Sequence, residues 1–361
     1  MQPPTETSRK PALSRSALGL RLAAIGGVLV AAAGAFAYAG GWLAPHRLTP
    51  AKLITALGDR GGDPVGHRRN HSKGVCFTGT FAANGKGAAF STAPMLANGT
   101  YPVIGRFAIA VGDPDSADAT GRVKSMAVQI TAGGQQWRSG MNDSPVFVVP
   151  NPKDFYALTL TQDIDPATGK PDPAATKRFF ATHPASRPFA HWAATAPWTA
   201  SFADQTYNSL DAFRFIDSQG HSHLVRWSMQ ATIPQTPVPH AELAAMGPDY
   251  LEKDLAQRLG QGALAWHLIV TLAAPGDPSN DATKAWPADR PQVDVGTLTV
   301  SAMEPEANGP CRDINYDPTI LPSGIAVSDD PLLPARSAAY ARSFDLRTAE
   351  AGAYPRTGGH L

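Results

Sequence analysis

Residues 103–110 read Val-Ile-Gly-Arg-Phe-Ala-Ile-Ala. A short apolar run of this kind is a strand buried on at least one face. Arg106 interrupts it, and a guanidinium inside a buried strand needs an anion beside it. Working outward, the pattern recurs at residues 126–131, 146–149, 212–216, 224–229, 266–273 and 293–300, which also read as strands. Helices are expected around residues 174–182 and over 241–259, the latter interrupted by Gly247-Pro248. Many short strands and few helices predict an α+β chain, an antiparallel β core with helical insertions. Closing that core into a β-barrel removes its exposed edges. The pattern by itself leaves barrel and sandwich open.

The composition agrees with this class. There are 33 Gly and 33 Pro in 361 residues, punctuation that suits short strands and long loops rather than a helix bundle. Basic and acidic residues number 31 and 30, so no net charge drives phosphate binding, and nucleic acid is excluded as an expected partner. Two cysteines, Cys76 and Cys311, allow one disulfide or none; Cys76 reads as a small buried residue. Arg9, Lys10, Arg15 and Arg21 precede residues 22–43, an uncharged stretch long enough to cross a bilayer core of about 20 helical residues. The expected organisation is a basic cytoplasmic segment (1–21), a membrane anchor (22–43), a linker (44–50) and one exported domain (51–361) on the periplasmic side. The alternative is a cleaved signal, with Ala35-Phe36-Ala37 or Ala37-Tyr38-Ala39 at the cleavage site.

Three further segments carry chemistry. Arg68-Arg69-Asn70-His71-Ser72-Lys73-Gly74 places a histidine among cations, Asn142-Asp143-Ser144-Pro145-Val146-Phe147 places an amide before a turn, and Arg336-Ser337-Ala338-Ala339-Tyr340 follows Asp330-Pro331-Leu332-Leu333. Taken singly, each has a plain reading: a surface histidine, a turn residue, a packed tyrosine. In this order they resemble the distal-histidine, distal-asparagine and proximal-tyrosine segments of the catalase family, and the similarity covers roughly residues 60–350. The chain is most like the compact catalase-related peroxidases, in which an export segment stands where larger members carry an N-terminal arm.

The resemblance implies a catalase-like barrel holding haem b noncovalently, since no Cys-x-x-Cys-His attachment motif is present. It makes Tyr340 the iron ligand, with Arg336 one helical turn away on the same face, where its charge favours a phenolate. It makes His71 the distal acid–base, because a neutral imidazole can take a proton from peroxide and return it to the leaving oxygen. Asn142 donates a hydrogen bond without titrating. Phe155 packs on the haem face, and Arg68, Arg106 and Arg347 bind its propionates. The implied activity is reduction of organic hydroperoxides and hydrogen peroxide by a small organic donor, with weak catalase activity. The alternatives are a dismutating catalase, a hydroperoxide-rearranging enzyme, and a haem carrier or sensor without catalysis. Two departures bear on that choice. Ala108 stands where typical catalases have a distal serine, and residues 120–125 replace an Arg-Asp-Pro-Arg-Gly stretch, so that Arg122 takes the place of a channel aspartate. Both are expected to disfavour dismutation, through a less ordered pocket and a reversed steering charge. His221-Ser222-His223 reads as an exposed turn rather than a metal site.

Overall fold

A computed structural model describes residues 14–165 and 168–356. Arg9 and Lys10 of the basic flank lie outside the described residues. The chain divides into two compact units, Met1–Thr49 and Pro50–Leu361. The first contains α1 (Arg15–Ala39), a helix of 25 residues with mean hydropathy 2.0 and no buried residue. The Ser14 side chain caps it by accepting from the Ala17 amide, and the chain leaves the helix at Gly40 and Gly41, the latter at φ +83°. The helix thus starts earlier than the uncharged stretch, taking in Arg15 and Arg21. At 1.5 Å per residue it is long enough to cross a bilayer core of about 30 Å.

In the second unit α2 (Pro50–Arg60) is followed by four strands in succession, β1 (Gly74–Ala83), β2 (Gly99–Ile109), β3 (Lys124–Ala132) and β4 (Gln135–Asn142). A helical insertion comes next: α3 (Pro152–Leu160), the small hairpin β5 (Ile164–Asp165) and β6 (Lys170–Pro171), α4 (Pro173–Thr182) and α5 (Arg187–Thr195). The sheet resumes with β7 (Tyr207–Asn208), β8 (Phe213–Ile216) and β9 (Ser222–Ala231). α6 (His240–Ala245) and α7 (Tyr250–Leu259) are separated at Gly247-Pro248, as the sequence implies. β10 (Leu264–Leu272), β11 (Gln292–Pro305), β12 (Ile325–Val327) and α8 (Leu332–Ala349) complete the chain.

Eight strands close into an antiparallel ring in the order β1-β2-β3-β4-β7-β9-β10-β11, with β11 returning to β1. This decides for the barrel over the sandwich. Its interior is apolar and largely aromatic: Phe107 packs against Phe77, Phe202 and Trp266 at ring distances of 4.6, 5.2 and 5.6 Å. Trp137 meets Trp227 edge-on at 5.0 Å. Each such side chain, removed from water, contributes about 1.5–3 kcal/mol.

One expected strand is absent. Residues 146–149 form an extended loop whose Val148 and Val149 join Leu158 and Phe179 in a separate small core. Pro145 and Pro150 flank the run and cannot donate to a ladder, which confines it to the single bond from the Phe147 amide to the Ala282 carbonyl, 2.8 Å.

Candidate active site

Adjacent strands bring their outward side chains into register, so the outer face of β1 to β4 is a grid. One row runs Gly74, Ala108, Ser125, Asn142; the next runs Cys76, Arg106, Ala127, Gly140. Rows two residues apart are separated by about 7 Å. That is close to two van der Waals contacts of about 3.5 Å, the space a planar aromatic group fills. Small residues dominate both rows, which keeps the face open.

The first row holds the acid–base groups. His71 lies in the loop before β1 with φ +53°, a left-handed conformation that is strained for a non-glycine residue. Its flanks fix it there: the Ser72 amide donates to Val111 O at 3.0 Å, and the Ser72 hydroxyl to Arg68 O at 2.7 Å. The His71 ring thereby reaches Ser125, with Nδ1 2.8 Å from Oγ. Ser125 Oγ in turn donates to Asn142 Oδ1 at 3.0 Å. A hydroxyl has one proton. With that proton directed to Asn142, Oγ must accept from His71 Nδ1–H, which leaves Nε2 as the bare, basic nitrogen. The same bond fixes the Asn142 amide so that its NH₂ is the half left to donate. Burial, reinforced by Arg106, Arg60, Arg336 and Arg68, pulls the His71 imidazole from its ordinary 6.5 down to about 3. His71 is therefore neutral at physiological pH.

A cationic cluster borders the second row. Arg106 donates to Glu306 Oε2 at 2.6 Å and to Ser72 O at 3.1 Å. Arg68 pairs with the other oxygen of Glu306 and donates to the carbonyls of Cys311 and Ile314, both at 3.1 Å. Arg347, from the last turn of α8, donates to Ile314 O at 2.9 Å and to Arg312 O. Arg68 and Arg106 thus share the Glu306 carboxylate, while Arg347 is held by carbonyls, with Asp313 as its nearby anion. Burial lowers all three, Arg106 and Arg347 to about 10; repulsion from Arg347 adds to it at Arg68 and Arg106, and at Arg347 the nearby Asp313 opposes it while Arg312 adds to it. Arg106 Nε is buried with no partner. The cluster carries more cations than carboxylates beside it, which suits it to an anionic group.

Tyr340 and Arg336 lie one turn apart on α8. Both face Gly140: a Cβ there would sit 3.2 Å from Tyr340 Oη and 3.4 Å from Arg336 Nη2. Burial lowers the Arg336 guanidinium, but Asp211 and Tyr340 outweigh it and hold its pKa above the ordinary value. Asp211, only 1% exposed, forms an ion pair with it. Phe155, on α3, is half-buried against Phe147 at 5.6 Å. It belongs to the small separate core, and no bond or ring contact ties it to either row.

Residues 44–351 match the family model described as Catalase. The chain belongs to the catalase family. Among curated relatives, a catalase-related peroxidase of Synechococcus elongatus is 36% identical over 302 residues, covering 83% of this chain and 89% of its own length. A second, from Mycolicibacterium paratuberculosis, is 32% identical and covers 83% and 95%. A catalase of Vibrio cholerae is 26% identical over 80% of this chain but only 60% of its own length. The fold is shared with a bacterial catalase structure at TM-score 0.72 and 23% identity, covering 82% of this chain and 60% of that one. Catalase A from Saccharomyces cerevisiae gives the same TM-score at 20% identity, covering 82% and 64%.

Within this catalase-family site, the structure corrects the expected loss of a hydroxyl at Ala108 and gives Arg122 its surroundings. Ala108 does not leave the pocket without a hydroxyl, because its cross-strand partner Ser125 supplies one from β3. Arg122 is packed and hydrogen-bonded by the protein itself. Its guanidinium lies 4.2 Å from the Trp192 ring and 4.8 Å from the Trp198 ring, and donates to the carbonyls of Ala193 and Ala196 at 2.9 and 3.0 Å, tying down the end of α5. Ser125 and Glu306 are the residues that motif matching missed. Ser125 stands directly across from Ala108 on the neighbouring strand, a pairing that the order of residues along the chain does not display. The cysteines form a disulfide, Cys76–Cys311. His221 and His223 both bond Asp217 at 3.1 Å on a hairpin, and no metal-binding cluster occurs among the described residues.

Proposed function

We propose that this domain is a haem b peroxidase that reduces organic hydroperoxides and hydrogen peroxide with a small organic donor. The observation that carries the reading is the Ser125 bridge, which sets His71 as a base and Asn142 as a donor one row above the Tyr340 contact. Haem, when bound, would supply the redox-active iron. The protein's own groups do the rest. His71 Nε2 takes a proton from one peroxide oxygen and returns it to the leaving oxygen, while the Asn142 amide polarises the bond between them. Tyr340 would ligate the iron, with the Arg336 guanidinium beside it on α8. Arg68, Arg106 and Arg347 would hold the propionates, and Phe155 would pack on the ring. The names of the two catalase-related peroxidases, at 36% and 32% identity, support a peroxidase. Weak dismutation is the second reading, favoured by the distal hydroxyl that Ser125 restores.

The domain would act on the periplasmic side of the cytoplasmic membrane, tethered by α1, or free there after cleavage of a signal. The deciding experiment is His71→Ala. Haem occupancy should persist, since the proposed ligand is on another element, while peroxide cleavage slows at least ~100-fold. Parent-like turnover would return His71 to an ordinary loop residue. On the same preparations, donor oxidation driven by an organic hydroperoxide should exceed oxygen release from hydrogen peroxide. The reverse ratio would make the protein a dismutating catalase.

A further inference from the structure

The loop after β11 is a succession of turns without helix or strand, yet it supplies most of the partners of the cationic cluster. Glu306 binds Arg68 and Arg106; the carbonyls of Cys311, Arg312 and Ile314 hold Arg68 and Arg347. Backbone ladders cannot position such a segment. The Cys76–Cys311 bond can. Cys76 sits on β1 directly across from Arg106 on β2, in the second row of the grid. The Cys311 amide also donates to Cys76 Sγ at 3.2 Å, and both cysteines are fully buried. The loop lies so close that a Cβ at Gly309 would fall 2.5 Å from Cys76 Sγ.

We infer that the Cys76–Cys311 disulfide is a positioning element for cofactor binding, so that the domain takes up haem tightly only once the bond has formed. The inference rests on the haem reading given above. Forming the bond joins two thiols with loss of two protons and two electrons to a disulfide oxidant, which leaves as two thiols. Such an oxidant is characteristic of extracytoplasmic compartments. Export and haem acquisition are then coupled: in the reduced chain the acceptors of Arg68 and Arg347 lie on an untethered loop, and in the oxidised chain they are fixed beside Arg106. Because the bond is buried, it is set as the domain folds rather than toggled afterwards.

The test uses the full-length protein, haem-free, in mild detergent, titrated with ferric haem and followed by absorbance. Three forms are compared: the disulfide-bonded parent, Cys76→Ala/Cys311→Ala, and Gly309→Ala with its disulfide verified by thiol assay. The last displaces the loop while keeping the crosslink, and so separates position from overall stability. Both variants should bind haem at least ~10-fold more weakly, the range seen when groups supporting a ligand shell are lost. Circular dichroism should show a folded apoprotein. Adding Arg347→Ala should cost the disulfide-free variant less affinity than it costs the parent, a non-additivity that general destabilisation does not produce. Parent-like affinity in the folded cysteine variant, or additive losses, would overturn the inference. Should the cysteine variant not fold, unchanged affinity in Gly309→Ala overturns it alone. A disulfide-bonded parent that binds no haem would instead refute the haem reading beneath it.

Discussion

Replacing Ser125 with alanine isolates the one hydroxyl that organises the distal groups. The substitution removes the acceptor of His71 Nδ1–H and the donor to Asn142 Oδ1, bonds of 2.8 and 3.0 Å. Each buried group left unpaired costs about 1–3 kcal/mol. The imidazole can relieve its share by turning, or by moving its proton to Nε2, the nitrogen that must be bare to accept from peroxide. A bias of about 1.4–2.8 kcal/mol toward those arrangements slows the proton transfer ~10- to 100-fold. Haem content should not change, because neither Tyr340 nor any arginine of the cationic cluster bonds Ser125. The assay is rapid mixing of the haem-loaded protein with peroxide, read as the rate of the absorbance change. Ala108→Ser in the Ser125→Ala background supplies a control. Residue 108 faces residue 125 across the β2–β3 pair on the same face, so its hydroxyl approaches His71 from the other side. It should recover part of the loss, with the Asn142 share remaining. A parent-like rate in Ser125→Ala would refute the bridge, and failure of Ala108→Ser to recover any rate would refute its assignment to His71.

Tyr340→Phe removes the proposed anionic ligand while keeping the ring's packing, and should abolish the parent ferric spectrum and most haem retention; unchanged haem content would refute the ligand assignment. The pH–rate profile for peroxide cleavage should show no inflection near 6.5, because His71 in the fold titrates at about 3. Its stability signature has a definite sign. Below pH 6.5 the unfolded chain binds a proton that folded His71 refuses, so this residue's contribution falls by up to 1.36 kcal/mol per pH unit as pH drops toward 3. Asp143, pushed up to about 7 by burial against the pull of Lys124, works the opposite way between pH 7 and 3.8. The His71 effect is therefore read as the parent-minus-His71→Ala difference in denaturant midpoint, which should shrink from pH 7 to pH 5. Finally, the full-length protein should fractionate with membranes and be open to protease from the outer side; intact chain recovered from the soluble cytoplasm would refute export.

The strands that could be read from the sequence, such as β2, β3, β9 and β10, keep apolar residues at their alternate, inward positions. β4 was not legible. Its outward residues Arg138, Gly140 and Asn142 look like a polar, turn-prone stretch, because they face the site rather than solvent. β1 hid for a similar reason: Gly74 and Gly79 break its pattern, and each allows a close approach of neighbouring backbone. Residues 146–149 show the converse error, an apolar run with strand composition that fills a satellite core. The site face hid β1 and β4, while β2 and β3, which carry the middle of the same two rows, stayed visible through their inward Val103, Phe107, Ile109, Met126, Val128 and Ile130.

The arrangement of the site separates an enzyme from a haem carrier on energetic grounds. On the proposed reading, retention of a dianionic porphyrin would rest on the second row and its border: Tyr340, Arg336, Arg347 and the two arginines that share Glu306. The first row adds nothing to retention and carries costs. His71 holds a left-handed backbone at φ +53°, a strain of about 1–3 kcal/mol. Its imidazole is buried among cations, where its proton affinity is weakened, and Ser125 commits its only proton to fixing an amide. These features have a use together only if a proton must pass between two atoms held above the second row, with Nε2 bare to receive it and Asn142 aimed at the same place. Ala108 and Ser125 carry the point further. The hydroxyl is present but comes from the neighbouring strand, and a position-by-position comparison reads that relocation as a loss. What the fold preserves is an oxygen within 2.8 Å of His71 Nδ1, and any strand of the grid that can deliver one leaves the proton-transfer chemistry intact.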